Sequence, residues 1–238
     1  MDEPTESGSP LSCGLYVVAT PIGNLADLSF RALEVLKSCN AIACEDKRIS
    51  SRLLNRYGIK KNLIPYHEHN ERKQAGVLAE KIEGGQAIAL ISDAGTPTVS
   101  DPGFRLVREC RRRGLPVSPI PGPSAALSAL SASGLPTNAF TFVGFLPPKT
   151  AARRRFLENN RDSEQTQILF EATHRIKKLL SEVCEIMGPD RVLCVARELT
   201  KLHETILTGP ASQLQTLVAR GSRKGEFVVI IAPAGFVL

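Results

Sequence analysis

The 238 residues include 30 Lys and Arg against 24 Asp and Glu, a net charge of +6, and 42% are hydrophobic. That length suits one large or two small domains with ample material for a core, and the positive balance suits an anionic partner. No apolar run approaches the ~20 residues of a membrane span, which excludes an integral membrane helix. Residues 1–13, "MDEPTESGSPLSC", are acidic and turn-rich, with neither the basic nor the apolar region of a signal peptide, and are expected to be a disordered tail. The six cysteines, at 13, 39, 44, 110, 184 and 194, form no CxxC pair. They read as reduced core residues of a cytoplasmic protein.

From there strand-like and helix-like runs alternate. "GLYVVAT" is a strand, "SFRALEVLKSC" a helix, "NAIACE" a strand and the basic "KRISSRLLNRYG" a helix. A strand near "NLIPYH", a helix over 71–83, the strand "QAIALIS", a helix over 101–113, a short strand at "PVSPI" and a helix over 124–133 follow. Together they predict an N-terminal α/β domain over 14–135 with a mostly parallel sheet. The segment 136–149 collects prolines and glycines and is expected to be a linker. A second α/β domain, 150–238, is predicted from helices over 150–160, 173–187 and 210–220 between the strands "TQILFEA", "RVLCVAR", "HETILTG" and "EFVVIIA". The fold class is therefore α/β, two domains each with a mixed or mostly parallel sheet.

The chain lacks a GxGxxG after its first strand, a GxxxxGK[ST] and a GxSxG elbow. Ligands of open α/β sheets bind beyond the carboxyl ends of strands, where three turn-rich loops fall: "ATPIGN" (19–24), "SDAGTP" (92–97) and "PIPGPSA" (119–125). Their small residues allow close approach to backbone, and Asp93 offers a carboxylate to an amine or hydroxyl. Any one of them alone is also what an ordinary strand-to-helix turn looks like.

In order, "LYVVATPIGNLADLSFRALEVL", "ACEDKR", "HEHNE", "LISDAGTPTVSDPGFRLV", "IPGPSAALSALSASGLP", "GFLPPK" and "RELTKLHET" resemble the bacterial 2′-O-ribose methyltransferases that modify a cytidine of small-subunit ribosomal RNA. That family lies within the tetrapyrrole methylase-like superfamily of S-adenosylmethionine (SAM) enzymes, and the resemblance spans about residues 14–232. It implies two α/β domains with SAM in the cleft between them, a homodimer, and small-subunit ribosomal RNA or the assembled subunit as partner. It further implies SAM contacts from Asp93, Ala94, Gly95 and Thr96, from Ser124 and Ala125, and from Phe170. The chain departs from the family pattern at Lys47, Ile49 and Ala172-Thr173. The first two touch the expected RNA side more than the cofactor.

Methyl transfer needs the ribose oxygen in line with the methyl group, and a base to take the hydroxyl proton. Glu45, Asp46, Glu198 and Lys201 follow apolar strands and are the candidates, Lys201 only if burial lowers its pKa. A salt-bridge network is the alternative for all four. His67 and His69 share one side of a strand but lack further ligands at metal spacing, so no metal is expected. His174 and Arg175 open a helix, as cap or as phosphate contact. Basic clusters at Arg108-Arg111-Arg112-Arg113, Lys149-Arg153-Arg154-Arg155, Lys177-Lys178 and Arg220-Arg223-Lys224 form a phosphate footprint if they share a face. Aromatics make up 5%, which favours recognition of RNA by shape and backbone over base stacking. Two other functions fit less well: SAM-dependent methylation of a tetrapyrrole-like small molecule, and a non-catalytic RNA-binding protein.

Overall fold

The computed structural model describes residues 11–221 and 224–238, so most of the expected tail, and Arg223 of the last basic cluster, lie outside the described residues. The chain divides into two compact units, 1–124 and 125–238.

In the first unit the order is β1 (Gly14–Val18), a 3₁₀ turn (Leu25–Asp27), α1 (Phe30–Ser38), β2 (Ala41–Cys44), α2 (Lys47–Arg56), β3 (Asn62–Pro65), α3 (Glu71–Glu83), β4 (Ala87–Ile91), α4 (Phe104–Arg112) and β5 (Val117–Ile120). The five strands form one parallel sheet in the order β3-β2-β4-β1-β5. Both faces of a parallel sheet are covered, so its central strands need apolar residues at every position. β2 and β4 are buried throughout, and the two-residue period splits them between two cores. Ile42, Cys44, Ala89 and Ile91 join Val35 and Leu36 of α1 and Leu53 and Leu54 of α2. Ala41, Ala43, Ile88 and Leu90 join Leu78 and Ile82 of α3 and Leu106 and Cys110 of α4. Local chemistry starts the helices: Ser29 caps α1 by accepting from Ala32 N at 3.1 Å. α4, which opens at Gly103 without a side-chain cap, has its Leu106 N–H taken by the buried Tyr66 hydroxyl at 3.1 Å.

The second unit runs α5 (Ala125–Ala132), β6 (Phe140–Phe145), α6 (Thr150–Asn159), β7 (Thr166–Ala172), α7 (Ile176–Met187), β8 (Val192–Arg197), β9 (Thr205–Pro210), α8 (Ala211–Arg220) and β10 (Glu226–Ile231). Its sheet is mixed, in the order β6-β7-β10-β8-β9, with β6 parallel to β7 and the other neighbours antiparallel. Leu157 of α6, Leu179, Leu180 and Val183 of α7 and Leu214 of α8 pack with Leu169, Leu193, Val195, Phe227 and Val229 of the strands. The passage between units falls at Ser124/Ala125, before the 136–149 segment. That segment, expected to be a linker, contains β6, because its prolines flank the β-prone run Phe140-Thr141-Phe142-Val143 and leave a paired edge strand.

The structure also corrects the basic cluster at 149–155. Arg153 lies on the Leu157 face of α6 and is 2% exposed. Its Nε and Nη2 donate to both oxygens of the buried Glu182 of α7, at 2.5 and 2.7 Å, and Nη1 donates to Pro148 O at 3.3 Å. Arg175, at the start of α7, donates through Nη2 to Leu146 O at 2.7 Å. Two guanidiniums therefore hold the carbonyls of the "GFLPPK" motif, and the buried Arg153 is not a surface phosphate contact.

Candidate active site

The three turn-rich loops come together at the carboxyl end of neighbouring strands β4, β1 and β5. Thr20 and Gly95 form an antiparallel bridge, Thr20 N donating to Gly95 O at 2.9 Å and Gly95 N to Thr20 O at 3.0 Å. Thr20 Oγ1 donates to Ser92 O at 3.2 Å, and Thr96 Oγ1 to Pro123 O at 3.3 Å. A side chain at Gly122 would press on Ala19, its Cβ 3.1 Å from that of Ala19. Gly95 has φ +78°, while a Cβ there would meet Ile22 Cγ2 only at 3.5 Å. Glycine is thus required at 95 for its left-handed backbone rather than for room. Asp93, Ala94, Gly95, Thr96 and Ser124 all belong to this one unit.

Beside these loops, the ends of β2 and β4 are clasped. Asp46 N donates to Asp93 Oδ1 at 3.1 Å. Burial, and then the neighbouring charges of Asp93, Asp101 and Asp46, raise the Glu45 pKa. Burial likewise raises Asp93. Asp46 differs: it caps α2 through Arg48 N at 2.7 Å and pairs with the Arg48 guanidinium at 2.6 Å, which holds it down to about 2. A carboxylate so engaged is a poor base, so Asp46 takes the salt-bridge alternative.

One further acid joins this group. Burial pushes Asp101 up to about 6, with Asp93 adding to the rise and a hydrogen bond to the Ser92 hydroxyl opposing it. Sequence alone assigns Asp101, Ser92 and Thr20 no role. The available signal was the second Ser-Asp pair, Ser100-Asp101, repeating Ser92-Asp93 within one loop.

In the second unit, Phe170 of β7 packs edge-on against Phe142 and Phe145 of β6, with ring centroids 5.1 and 5.7 Å apart. A register shift between Phe142 and Gly144, which has φ +73°, sets Phe145 opposite Phe170. Glu198, in a left-handed conformation at φ +52°, accepts from Lys201 Nζ at 2.9 Å and Glu226 N at 3.1 Å. Lys201 Nζ also donates to Glu226 Oε2 at 2.7 Å. Burial alone would lower the Lys201 pKa, but the carboxylates of Glu226 and Glu198 outweigh it and the pKa is raised. The condition for Lys201 as a base fails, and Glu198, lowered by its hydrogen bond to Lys201, is equally unsuited. Ala125 opens α5, apart from these two groups in sequence.

His67 and His69 stand edge to face at 6.0 Å, and His67 N donates to Asn70 Oδ1 at 2.9 Å. Among the described residues no group of three or more His, Cys, Asp or Glu is arranged to hold a metal ion, and no helix is long and apolar enough to cross a membrane. Cys39, Cys44, Cys110 and Cys194 are buried thiols, Cys184 is half-buried and Cys13 exposed.

Residues 14–215 match the family model of tetrapyrrole (corrin/porphyrin) methylases. The ribosomal RNA small subunit methyltransferase I of Xylella fastidiosa (strain Temecula1) is 50% identical over 222 residues, covering 92% of this chain and 81% of that protein. The protein of the same name from Escherichia coli O157:H7 is 48% identical over 219 residues, covering 91% and 77%. Among solved structures, diphthine synthase superposes with TM-score 0.70 at 16% identity, over 92% of this chain and 89% of that one. Uroporphyrin-III-C-methyltransferase from Thermus thermophilus gives 0.60 at 21% identity, over 92% and 93%. Those two likenesses carry the fold, and the close sequence relatives carry the branch. The chain belongs to the tetrapyrrole (corrin/porphyrin) methylase family, within the group of the ribosomal RNA small subunit methyltransferase I proteins.

Proposed function

We propose that this chain methylates the ribose 2′-oxygen of a cytidine in small-subunit (16S) ribosomal RNA, using SAM. The observation that carries the reading is identity near 50% to small subunit methyltransferase I proteins over more than nine-tenths of the chain. The three stitched loops are compatible with it, since Asp93 and the carbonyls of 92–96 suit the ammonium and hydroxyl groups of such a cofactor. Asp93, Ala94, Gly95, Thr96 and Ser124 hold it from the first unit. SAM, when bound, supplies an electrophilic methyl group on sulfur.

The protein's part is positioning and proton removal. Of the four candidate bases only Glu45 is a carboxylate made more basic by its surroundings and not paired to a cation in the first unit. Glu45 takes the 2′-hydroxyl proton as the oxygen becomes nucleophilic. The protein acts as a cytoplasmic homodimer on ribosomal RNA, free or within the assembled subunit.

Labelled methyl transferred to a ribose 2′-oxygen removes the hydroxyl that alkali needs for cleavage, so label should appear in an alkali-resistant dinucleotide. Label in a mononucleotide would mean base methylation. No RNA label from either naked 16S RNA or small subunits, with label in a tetrapyrrole, would transfer the protein to the small-molecule branch.

A further inference from the structure

We infer that Phe145 is a nucleobase-stacking residue: its open ring, on an aromatic platform in the second unit, takes a base of the RNA strand while the basic starts of α6 and α7 take that strand's phosphates. This rests on the proposal that RNA is the substrate. It adds a base contact that an aromatic content of 5% spoke against, because composition counts rings without placing them.

The platform is made by one extra residue. Side chains alternate along a regular strand, so Phe140 and Phe142 would share one face of β6 and Phe145 would point to the other. From Phe142 to Phe145, however, β6 advances three residues while β7 advances two, from Ile168 to Phe170. This bulge, with Gly144 left-handed at φ +73°, turns Phe145 onto the face of Phe142 and Phe170 and leaves Val143 to pack with the core around Leu169. Phe170 then meets Phe142 and Phe145 edge-on, at 5.1 and 5.7 Å. Even so, Phe145 stays 56% exposed. The bulge aims a ring at solvent beside two others.

The chain after Phe145 is fixed, and it is flanked by positive charge. Arg175 Nη2 donates to Leu146 O at 2.7 Å and Pro147 O at 3.4 Å, and Arg153 Nη1 to Pro148 O at 3.3 Å. Arg175 is anchored in turn, its Nε paired with the buried Glu171 carboxylate at 3.1 Å. A ring on so constrained a segment loses little freedom when it stacks. The exposed Lys149 follows within at most ~14 Å of chain, as the N-cap of α6, and makes no side-chain capping bond. Exposed Lys177 and Lys178 lie in the first turn of α7, and the bond from Lys178 Nζ to Thr150 Oγ1 brings that turn beside the start of α6. Neither helix has an acidic residue in its first turn. A ring face next to cations and two helix N-termini matches base and phosphate together, the pairing by which single strands are held.

The test is binding of the whole protein, at one salt concentration, to two probes of equal length: oligocytidylate, and the same ribose-phosphate chain without bases. Wild type should prefer oligocytidylate about tenfold, within the range of one stacked base. Phe145→Leu keeps apolar area but has no ring face, so it should bind both probes as wild type binds the abasic one. Phe145→Trp should keep the preference. The salt slope should be the same in all three proteins, since no phosphate contact is altered. Melting curves would verify folding, and SAM affinity and sedimentation should not change. A preference that persists in Phe145→Leu, or is absent from wild type, would overturn the inference. Lost SAM affinity in Phe145→Leu would give the ring to the adenine of the cofactor, and an altered mass would give it to a contact between copies of the chain; either result overturns the RNA assignment. Absence of methyl label on both 16S RNA and small subunits with wild type would instead remove the proposed function. Label transfer by wild type with no effect of Phe145→Leu on probe preference removes this inference alone.

Discussion

A proton acceptor must lack a cationic partner and be more basic than an ordinary carboxylate, and these criteria divide the four candidate residues. Glu45→Gln should lower kcat by about 10²-fold with SAM affinity retained, as for loss of a group that acts only in the transition state. Single-turnover assays set beside calorimetry would read the two separately. Lys201→Met should leave Glu198 and Glu226 without their shared ammonium and lower the melting temperature while turnover changes little. A large kcat loss with an unchanged melting temperature in Lys201→Met would restore it to the chemistry. Asp101 makes a stability prediction too. Its folded pKa of about 6 lies above the ordinary value of 3.8, so the folded state holds the proton more tightly. Stability from this group is fully present below pH ~3.8 and declines as pH rises to about 6, the reverse of a salt-bridged carboxylate. Asp101→Asn should therefore stabilise the protein at pH 7 by about 1 kcal/mol, solvent screening at the part-open carboxyl keeping the gain small. Denaturant curves should show that gain vanishing toward pH ~4.

At the scale of elements, α6 and α7 are joined by the Arg153–Glu182 pair, which is buried on both sides. Removing one partner strands a buried charge, so Arg153→Ala should cost roughly 3–5 kcal/mol. Replacing both, as Arg153→Met with Glu182→Leu, should recover most of that loss, which urea denaturation would measure. The same pair bears on RNA binding. A weakened RNA affinity in Arg153→Ala would reflect loss of the fold around α6, because this guanidinium does not reach solvent. In the first unit, Gly95→Val places a β-branched residue in left-handed backbone at the bridge to Thr20. It should abolish SAM binding by distorting the Thr20–Gly95 pair; unchanged affinity would take the loop out of the site.

At the scale of the whole molecule, the net charge of +6 overstates what any one face offers to phosphate. On α4, Arg112 and Arg113 are tied to Glu109, and Arg105 to Glu71. Arg154 is tied to Glu185. Lys149, Arg155, Lys177 and Lys178 are exposed, and Lys178 Nζ donates to Thr150 Oγ1 at 2.6 Å, which brings the first turns of α6 and α7 together. Changing Arg155 and Lys177 to Ala should weaken RNA binding uniformly across sequences. It should also flatten the slope of log K against log salt, by about 1 for each phosphate no longer neutralised. An unaltered slope would make that end of the unit ordinary solvated surface.

The alternation of apolar and amphipathic runs by itself determined the α/β class, the helices, the described strands other than β6 and the three turn loops, because periodicity and turn chemistry are local properties. Ordered motifs such as "LISDAGTPTVSDPGF" and "RELTKLHET" determined the family, since so many spacings are not met together by chance. Tertiary structure alone decided partners. Nothing within "KTAARRRF" separates Arg153 from Arg154 and Arg155. Helical geometry turns only Arg153 toward the core, where Glu182, 29 residues away, makes burial tolerable. Likewise Asp46 and Glu45 are adjacent in sequence, yet Arg48 holds one down as a helix cap while burial, and then Asp93 and Asp101, make the other more basic. The 136–149 segment misled for the same reason. Its prolines are visible locally, whereas the β7 edge that pairs with Phe140–Phe145 is supplied by residues 166–170, beyond the whole of α6. Which charges are spent on neighbours, and which remain for chemistry, depends on contacts between residues far apart in sequence, and only the packed chain settles that.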